Sequence, residues 1–289
     1  MSRMVDQIPL PAEVRKMKVI VASASRSGTL GLYQAMRILG YNTYHIYECC
    51  AIQGLPHMRI FKEAITAHWN QLSGIKRFTT TDFDRWLGEY DCLVEIPSYI
   101  GVDLLEAYAK DPDVKFILTE RQPEKWAASI NNTAGKLATK ATEFPFSILK
   151  YFDSTLYEFL TLNILVYRAI AGGTAPGEPG NEEALCRYYR NHIKSVKETI
   201  SADRLCLIQL EDGLGWETIC PFLGLPVPDQ AYPDRNEPEK FQVLVEGFIT
   251  PRINTAIMRF SVVAVSTVGV VGWVAVKYGP SAFATLRGN

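Results

Sequence analysis

The sequence predicts a three-layer α/β fold, a parallel sheet flanked by helices, with a hydrophobic helix added at the C-terminus. Three observations predict it. Short apolar runs rich in β-branched residues alternate with longer stretches whose apolar residues recur at helical spacing, the pattern of βα units. Several of those runs stop at polar or charged turns, as strands feeding a functional sheet edge do. The last forty residues or so contain one long stretch without a charge.

Residues 1–17 read as a loose lead-in broken by Pro9 and Pro11. Val19, Ile20 and Val21 then form a strand running into Ser23, Ser25, Arg26, Ser27, Gly28 and Thr29. After this turn Leu32, Met36 and Leu39 keep helical rhythm until Gly40. Strand, small-residue turn and helix start make a nest of backbone N–H groups suited to phosphate or sulfate. The same residues also suit an ordinary βα turn.

Tyr41–Tyr47 is β-prone and reads as a second strand ending at Glu48. Met58, Phe61, Ile65, Trp69 and Leu72 mark a helix over 56–73, whose His68 and Trp69 either line a pocket or belong to a core stripe. Thr81-Asp82 reads as the cap of a short helix carrying Phe83, Trp86 and Leu87. Cys92–Glu95 is a buried strand that puts a carboxylate at its C-terminal end, just before Ile96-Pro97. Val102–Ala109 is helical, and Val114–Thr119 is a strand leading through Arg121 to a helix with Trp126 and Ser129. Residues 145–170 are helical and rich in aromatics, suited to a covering helix or to a lid over a greasy pocket. Residues 171–181 read as a flexible loop, 182–200 as a helix bearing Tyr188, Tyr189 and His192, and Leu205–Gln209 as a strand. Trp216–Leu223 is a short helix ended by Gly224, and the Pro-rich segment 225–238 is expected to wrap the surface.

The domain is expected to span 1–250 and the tail 251–289, with a transmembrane anchor over about 257–277. Phe260 to Val276 carries no charge and is bracketed by Arg259 and Lys277, near the ~20 residues that span a bilayer core. Trp273 and Tyr278 suit an interface. The N-terminus has no apolar signal core. The expectation is a single-pass C-terminal anchor in the endoplasmic reticulum membrane with the domain in the cytosol, although the flanking cations are too even to assign orientation. The net charge is −1, and the tail's four positive charges leave the preceding 250 residues at −5. That acidic body argues against nucleic acid as a partner. None of the six cysteines is at C-x-x-C spacing, no full metal-ligand set is visible, and the thiols read as reduced core residues.

Taken together, Ser25-Arg26-Ser27-Gly28-Thr29, Glu95-Ile96-Pro97, and Arg121 followed by Ser129 resemble the sulfotransferases that use 3′-phosphoadenosine 5′-phosphosulfate (PAPS). In detail the chain is similar to the fungal sulfotransferase-like branch of the P-loop-type fold. Leu118-Thr119-Glu120-Arg121-Gln122-Pro123-Glu124-Lys125-Trp126 matches that branch's second motif, and the likeness runs through Trp216-Glu217, Cys220–Pro228 and Pro233. It covers roughly residues 18–240.

The resemblance implies PAPS as cofactor; the membrane anchor suggests a lipophilic small molecule as acceptor, or a membrane-bound pathway partner. It implies that Ser25 to Thr29 form the first loop, with the N–H groups of Ser27, Gly28 and Thr29 and the Thr29 hydroxyl on the 5′-phosphate. Arg26 would neutralise the transferring group, and Arg121 and Ser129 would hold the 3′-phosphate. Glu95 stands where relatives carry a histidine and would act as base, or would serve as a buried partner of Arg26 or Arg121. His192 is a further catalytic candidate, or a packed histidine, and His45 and Glu48 are weaker candidates.

Leu30, Gln122, Ser25 and the Gly213-Leu214-Gly215 turn depart from the family pattern, and Leu30 removes one hydroxyl contact to the phosphate. Gly-x-x-x-x-Gly-Lys-Ser/Thr is absent, which disfavours a kinase or nucleoside triphosphatase. Two rival readings stay open. One is PAPS-independent cyclase, isomerase or lyase chemistry on a terpenoid or polyketide. The other is a non-catalytic, membrane-tethered binding protein.

Overall fold

The computed structural model describes residues 3–233 and 237–286. Strands β1 (Val19–Val21), β2 (Thr43–Tyr44), β3 (Cys92–Val94), β4 (Lys115–Glu120) and β5 (Leu205–Gln209) form one parallel sheet ordered β2-β3-β1-β4-β5. The helices are α1 (Thr29–Ile38), α2 (Leu55–Trp69), α3 (Thr80–Leu87), α4 (Ile96–Ile100), α5 (Val102–Ala109), α6 (Pro123–Ile130), α7 (Lys136–Thr142), α8 (Phe146–Leu149), α9 (Ser154–Ile170), α10 (Asn181–Thr199), α11 (Trp216–Leu223) and α12 (Glu237–Leu286).

The central strands are apolar on both faces because both faces are covered. Val19, Val21, Cys92, Val94 and Ile117 point to the layer of α1 and α11. Ile20, Leu93, Phe116 and Leu118 point to the layer of α2, α3, α5 and α9. A smaller cluster of Ala24, Trp126, Tyr167 and Tyr189 joins α6, α9 and α10 beside the end of β1.

This topology positions the site. The chain runs from β1 to the edge strand β2, returns to β3 beside β1, and crosses to β4 on the other side. The segments leaving β3, β1 and β4 therefore emerge side by side at one sheet edge, where open parallel sheets bind ligands. Those segments carry Glu95, the loop 22–28 and Arg121.

Several local expectations change. β2 spans two residues rather than seven, because Tyr47 N–H turns back to His45 Nδ1 (3.1 Å) and the chain enters a π-helical turn, Glu48–Gln53. The cap of α3 is Thr79, with Asp82 returning the bond from the third position as a capping box. The aromatic region 145–170 is broken at Asp153, and α9 packs into the core through Leu156, Phe159 and Leu160. The 171–181 loop is pinned, since Asn181 Nδ2 reaches Tyr167 Oη (2.8 Å) and Thr174 Oγ1 (3.0 Å). Within the Pro-rich segment, Gln230 O accepts from Trp216 Nε1 (2.8 Å), residues 234–236 lie outside the described residues, and Glu237-Pro238 opens α12.

Helix α12 runs unbroken past residue 250. Its first half docks on the domain, with Phe248 on Phe159 (ring centroids 5.2 Å apart), Ala256 buried, and Phe260 on Phe152 (5.3 Å). Beyond Phe260 its apolar side chains are largely exposed. Glu246–Lys277 is long and apolar enough to cross a membrane, with a mean hydropathy of 1.8. The side chain of Tyr278 lies outside the described residues.

Gly28, which precedes α1, has φ 83°, and a Cβ there would stand 2.6 Å from Leu214 Cδ1 and 3.0 Å from Leu210 Cδ1. Gly28→Ala is therefore expected to destabilise the protein by about 1–3 kcal/mol. A lower midpoint at unchanged slope in urea unfolding checks this, and an unchanged midpoint refutes it.

Candidate functional site

The loop after β1 is held by bonds from its neighbours. Ser23 Oγ accepts from Thr119 N–H (2.9 Å), Thr119 Oγ1 donates to Ser27 O (2.6 Å), and Trp126 Nε1 donates to Ser25 O (2.8 Å). Arg121 Nη1 donates to Arg26 O (2.8 Å). Those clamps hold Arg26 at φ 67°, one of two non-glycine residues with positive φ among the described residues; the other is Glu95 at φ 62°. Such backbone costs about 1–3 kcal/mol per residue and persists only where its surroundings over-determine it.

The fold brings Arg26, Arg121 and Ser129 together. Arg26 Nε makes a long contact of 3.4 Å to Ser129 Oγ, so the first loop's cation leans toward the helix that carries the serine. Arg121 N–H is fixed by Tyr189 Oη (3.0 Å). Arg121 Nε and Ser27 Oγ are buried with no hydrogen-bond partner among the described residues. Against expectation Ser27 N–H is not free, since it donates to Ala24 O (3.2 Å), whereas the N–H groups of Gly28, Thr29 and Leu30 have no partner among the described residues. Orphaned buried donors at a strand-to-helix turn fit an anion, and in that respect the site fits the anionic ends of PAPS. A cleft of about 490 Å³ opens beside Arg121, lined also by Glu120, Tyr189, Lys194, Lys197 and Glu198, with Lys197 paired to Glu120 (2.6 Å); Ser129 and the first loop are not part of its lining.

Other features of the first loop are less open. The Thr29 hydroxyl donates to Glu95 Oε2 (2.7 Å) rather than facing outward. The Leu210 and Leu214 side chains, from the turn after β5, lie against Gly28.

Glu95 is 1% exposed. Its second oxygen, Oε1, lies 2.9 Å from His45 Nε2, with the ring N–H off the line of a hydrogen bond. Burial alone would push this carboxyl up. The attraction of His45 and the hydroxyls of Thr29 and Ser25 outweigh it and hold the carboxyl below the ordinary carboxylate range. The expected ion-pair partners, Arg26 and Arg121, are thus replaced by His45. Tyr33 stacks on His45 (5.0 Å) and donates to Glu48 Oε2 (2.6 Å), which brings the weaker candidates His45 and Glu48 into one network at this end of β2.

His192 is buried, and its Nε2 lies 2.7 Å from Ala22 O, at the end of β1. Burial lowers its pKa. That nitrogen therefore faces the sheet, while the rest of the ring borders a cavity of about 220 Å³. His68 and Trp69 also line this cavity, so the pocket alternative for them is the observed one. His68 Nδ1 lies 3.1 Å from Asp103 Oδ2, and a Cβ on Gly101 (φ 82°) would collide with His68 Nε2 at 2.2 Å.

Residue-by-residue reading missed Asp103 and Tyr189 as partners. Gly101 followed by an acid in the first turn of a helix was the available signal for Asp103. Nothing in the sequence pointed Tyr189 at Arg121. All six cysteines are free and buried, and among the described residues no three His, Cys, Asp or Glu side chains group as a metal site.

The sulfotransferase domain family matches residues 18–241. "Ava biosynthesis cluster protein M" of Aspergillus versicolor is 34% identical over 221 residues, covering 75% of this chain and 80% of that protein. The crystal structure of a sulfotransferase from Alicyclobacillus acidocaldarius is similar at 14% identity and a TM-score of 0.37, over 85% of this chain and 97% of that one. On the extent of the domain match and the identity to the Aspergillus protein, this chain belongs to the sulfotransferase domain family.

Proposed function

We propose that this chain is a membrane-anchored sulfotransferase of secondary metabolism, moving a sulfuryl group from PAPS to a hydroxyl of a lipophilic small molecule. The observation that carries the reading is that Arg26 joins Ser129 and Arg121, its Nε to Ser129 Oγ (3.4 Å) and its carbonyl to Arg121 Nη1 (2.8 Å), while Arg121 Nε and Ser27 Oγ are left without a partner among the described residues. Similarity to a biosynthesis cluster protein supports a small-molecule acceptor, and the apolar half of α12 supports a membrane-dissolved one. The endoplasmic reticulum membrane, with the domain in the cytosol, is the setting this reading assigns.

PAPS supplies an activated sulfuryl group on a 5′-phosphate leaving group. Arg121 and Ser129 hold the 3′-phosphate end, bridged by Arg26, which touches both. The N–H groups of Gly28, Thr29 and Leu30 bind the 5′ end at the start of α1. Arg26 turns its guanidinium to the developing negative charge, an electrostatic task that needs a pre-set cation. Glu95 orients the loop through Thr29 and His45, and takes the acceptor's proton when the Thr29 hydroxyl turns away from it. Titration calorimetry with 3′-phosphoadenosine 5′-phosphate tests the reading. Saturable heat is expected, and none at millimolar nucleotide sinks it.

A second reading is PAPS-independent acid–base chemistry on the same scaffold. The Leu210 and Leu214 side chains against Gly28, which close over the phosphate nest, favour it. Turnover of a lipophilic terpenoid or polyketide with no PAPS added would select it over the first.

A further inference from the structure

The segment 144–151 is apolar on two opposite faces. Leu149 is buried, and Phe146 and Phe152 pack against the core. Phe144, Ile148 and Tyr151 point the other way and are 80%, 43% and 69% exposed. An interior and an exterior apolar face on one short segment is not what a water-facing surface turn needs.

Its place in the fold says what covers it. The 3-10 turn after α8, Lys150–Phe152, is where α12 leaves the domain. Phe260 packs on Phe152, and Arg259 Nη1 donates to Phe152 O (3.0 Å) with Asp153 at 3.8 Å. The exposed apolar side chains Ile257 and Met258 begin at the same level. Phe260 to Val276 is 17 residues, about 26 Å of helix, against a hydrocarbon core of about 30 Å. A span that short draws Arg259 to the headgroup boundary, and the 144–151 segment fastened to it comes along. Lys150, whose Nζ sits 5.6 Å from the Tyr151 ring, adds a second cation at that level. Amphipathic cations beside an exposed aromatic suit lipid phosphates above and acyl chains below.

We infer that Phe144, Ile148 and Tyr151 form a shoulder that enters the lipid interface beside the anchor, so that the domain lies against the membrane in one orientation rather than swinging on a tether. The inference rests on the membrane reading of α12.

Because all six native cysteines are buried, a single introduced cysteine can carry a bimane label. The full chain is labelled separately at Ile148→Cys, Val268→Cys and Leu72→Cys, the last at a site 98% exposed outside α12. Each protein is placed in phosphatidylcholine–phosphatidylserine vesicles with or without chain-brominated phosphatidylcholine. The expected result is an about twofold loss of emission at positions 148 and 268 in brominated vesicles, as for groups at 5–10 Å depth or deeper, and none at 72. Loss at 268 without loss at 148 overturns the shoulder and leaves the anchor standing. No loss at 268 overturns the anchor, and the shoulder with it. Equal loss at 72 means unspecific adsorption and also overturns the oriented contact.

Discussion

Replacing Arg121 with Ala is expected to weaken binding of 3′-phosphoadenosine 5′-phosphate by roughly 30- to 1000-fold, the effect of about 2–4 kcal/mol for a lost, desolvated charge contact. Two losses combine in this variant. The buried Nε that awaits an acceptor disappears. So does the Nη1 bond to Arg26 O, which holds Arg26 in its left-handed conformation. Arg121→Lys keeps a charge but replaces the planar guanidinium fork by a compact ammonium that cannot occupy the Nε and Nη1 positions together, and is expected to bind at an intermediate level. Calorimetry of the three proteins, each checked for folding by circular dichroism, decides the matter. Wild-type affinity in Arg121→Ala would remove this residue from the nucleotide site.

The second large effect concerns Glu95. Glu95→Ala is expected to destabilise the fold by about 3–5 kcal/mol, because it leaves His45 and the Thr29 hydroxyl buried against a void. Glu95→Gln keeps the shape and an acceptor for Thr29, and is expected to cost less. The pH dependence carries a sign. The folded carboxyl ionises more readily than the unfolded one, so its contribution is complete above the ordinary carboxylate value of 4.5. It fades as pH falls toward the lower folded value. The stability gap between wild type and Glu95→Gln should therefore close as pH falls below the ordinary carboxylate value. Urea unfolding at a series of pH values measures it. If Glu95 acts only as a base that touches substrate, Glu95→Gln instead loses turnover with its stability intact at every pH.

These two residues also mark how far the sequence carries. Arg121, Ser129, Arg26 and Glu95 were all legible, because each sits at the end of an apolar run or on the helix that follows one. A parallel sheet brings the ends of neighbouring strands to one edge. Knowing that β1, β3 and β4 are adjacent is enough to predict that their following residues meet. Arg26 and Glu95, the two non-glycine residues with positive φ among the described residues, are both among those singled out from sequence.

The pairings among them were not legible. The partner expected for Glu95 was an arginine, yet the observed neighbours are His45, from the end of an edge strand far shorter than its β-prone residues implied, and Thr29, from the start of α1. The apolar stretch 145–170 was open between lid and core helix. The break at Asp153, whose side chain caps α9 by accepting from Leu156 N–H (2.8 Å), resolved it toward the core. Asn181 closed a loop whose composition looked flexible, because one buried amide can bond Tyr167 and Thr174 together.

The sequence by itself determined the α/β architecture, the order of its elements, the edge at which the chemistry-bearing residues gather and the long apolar helix at the end. Hydrophobic periodicity and turn chemistry encode all of these locally. Only the tertiary structure decided which way each polar side chain turns. That choice depends on which buried donor lies within about 3 Å of which acceptor, and such distances arise between residues tens of positions apart. Thr29 is the clearest case. Its place in the loop could be read from the turn, but its hydroxyl is directed by a carboxylate 66 residues away.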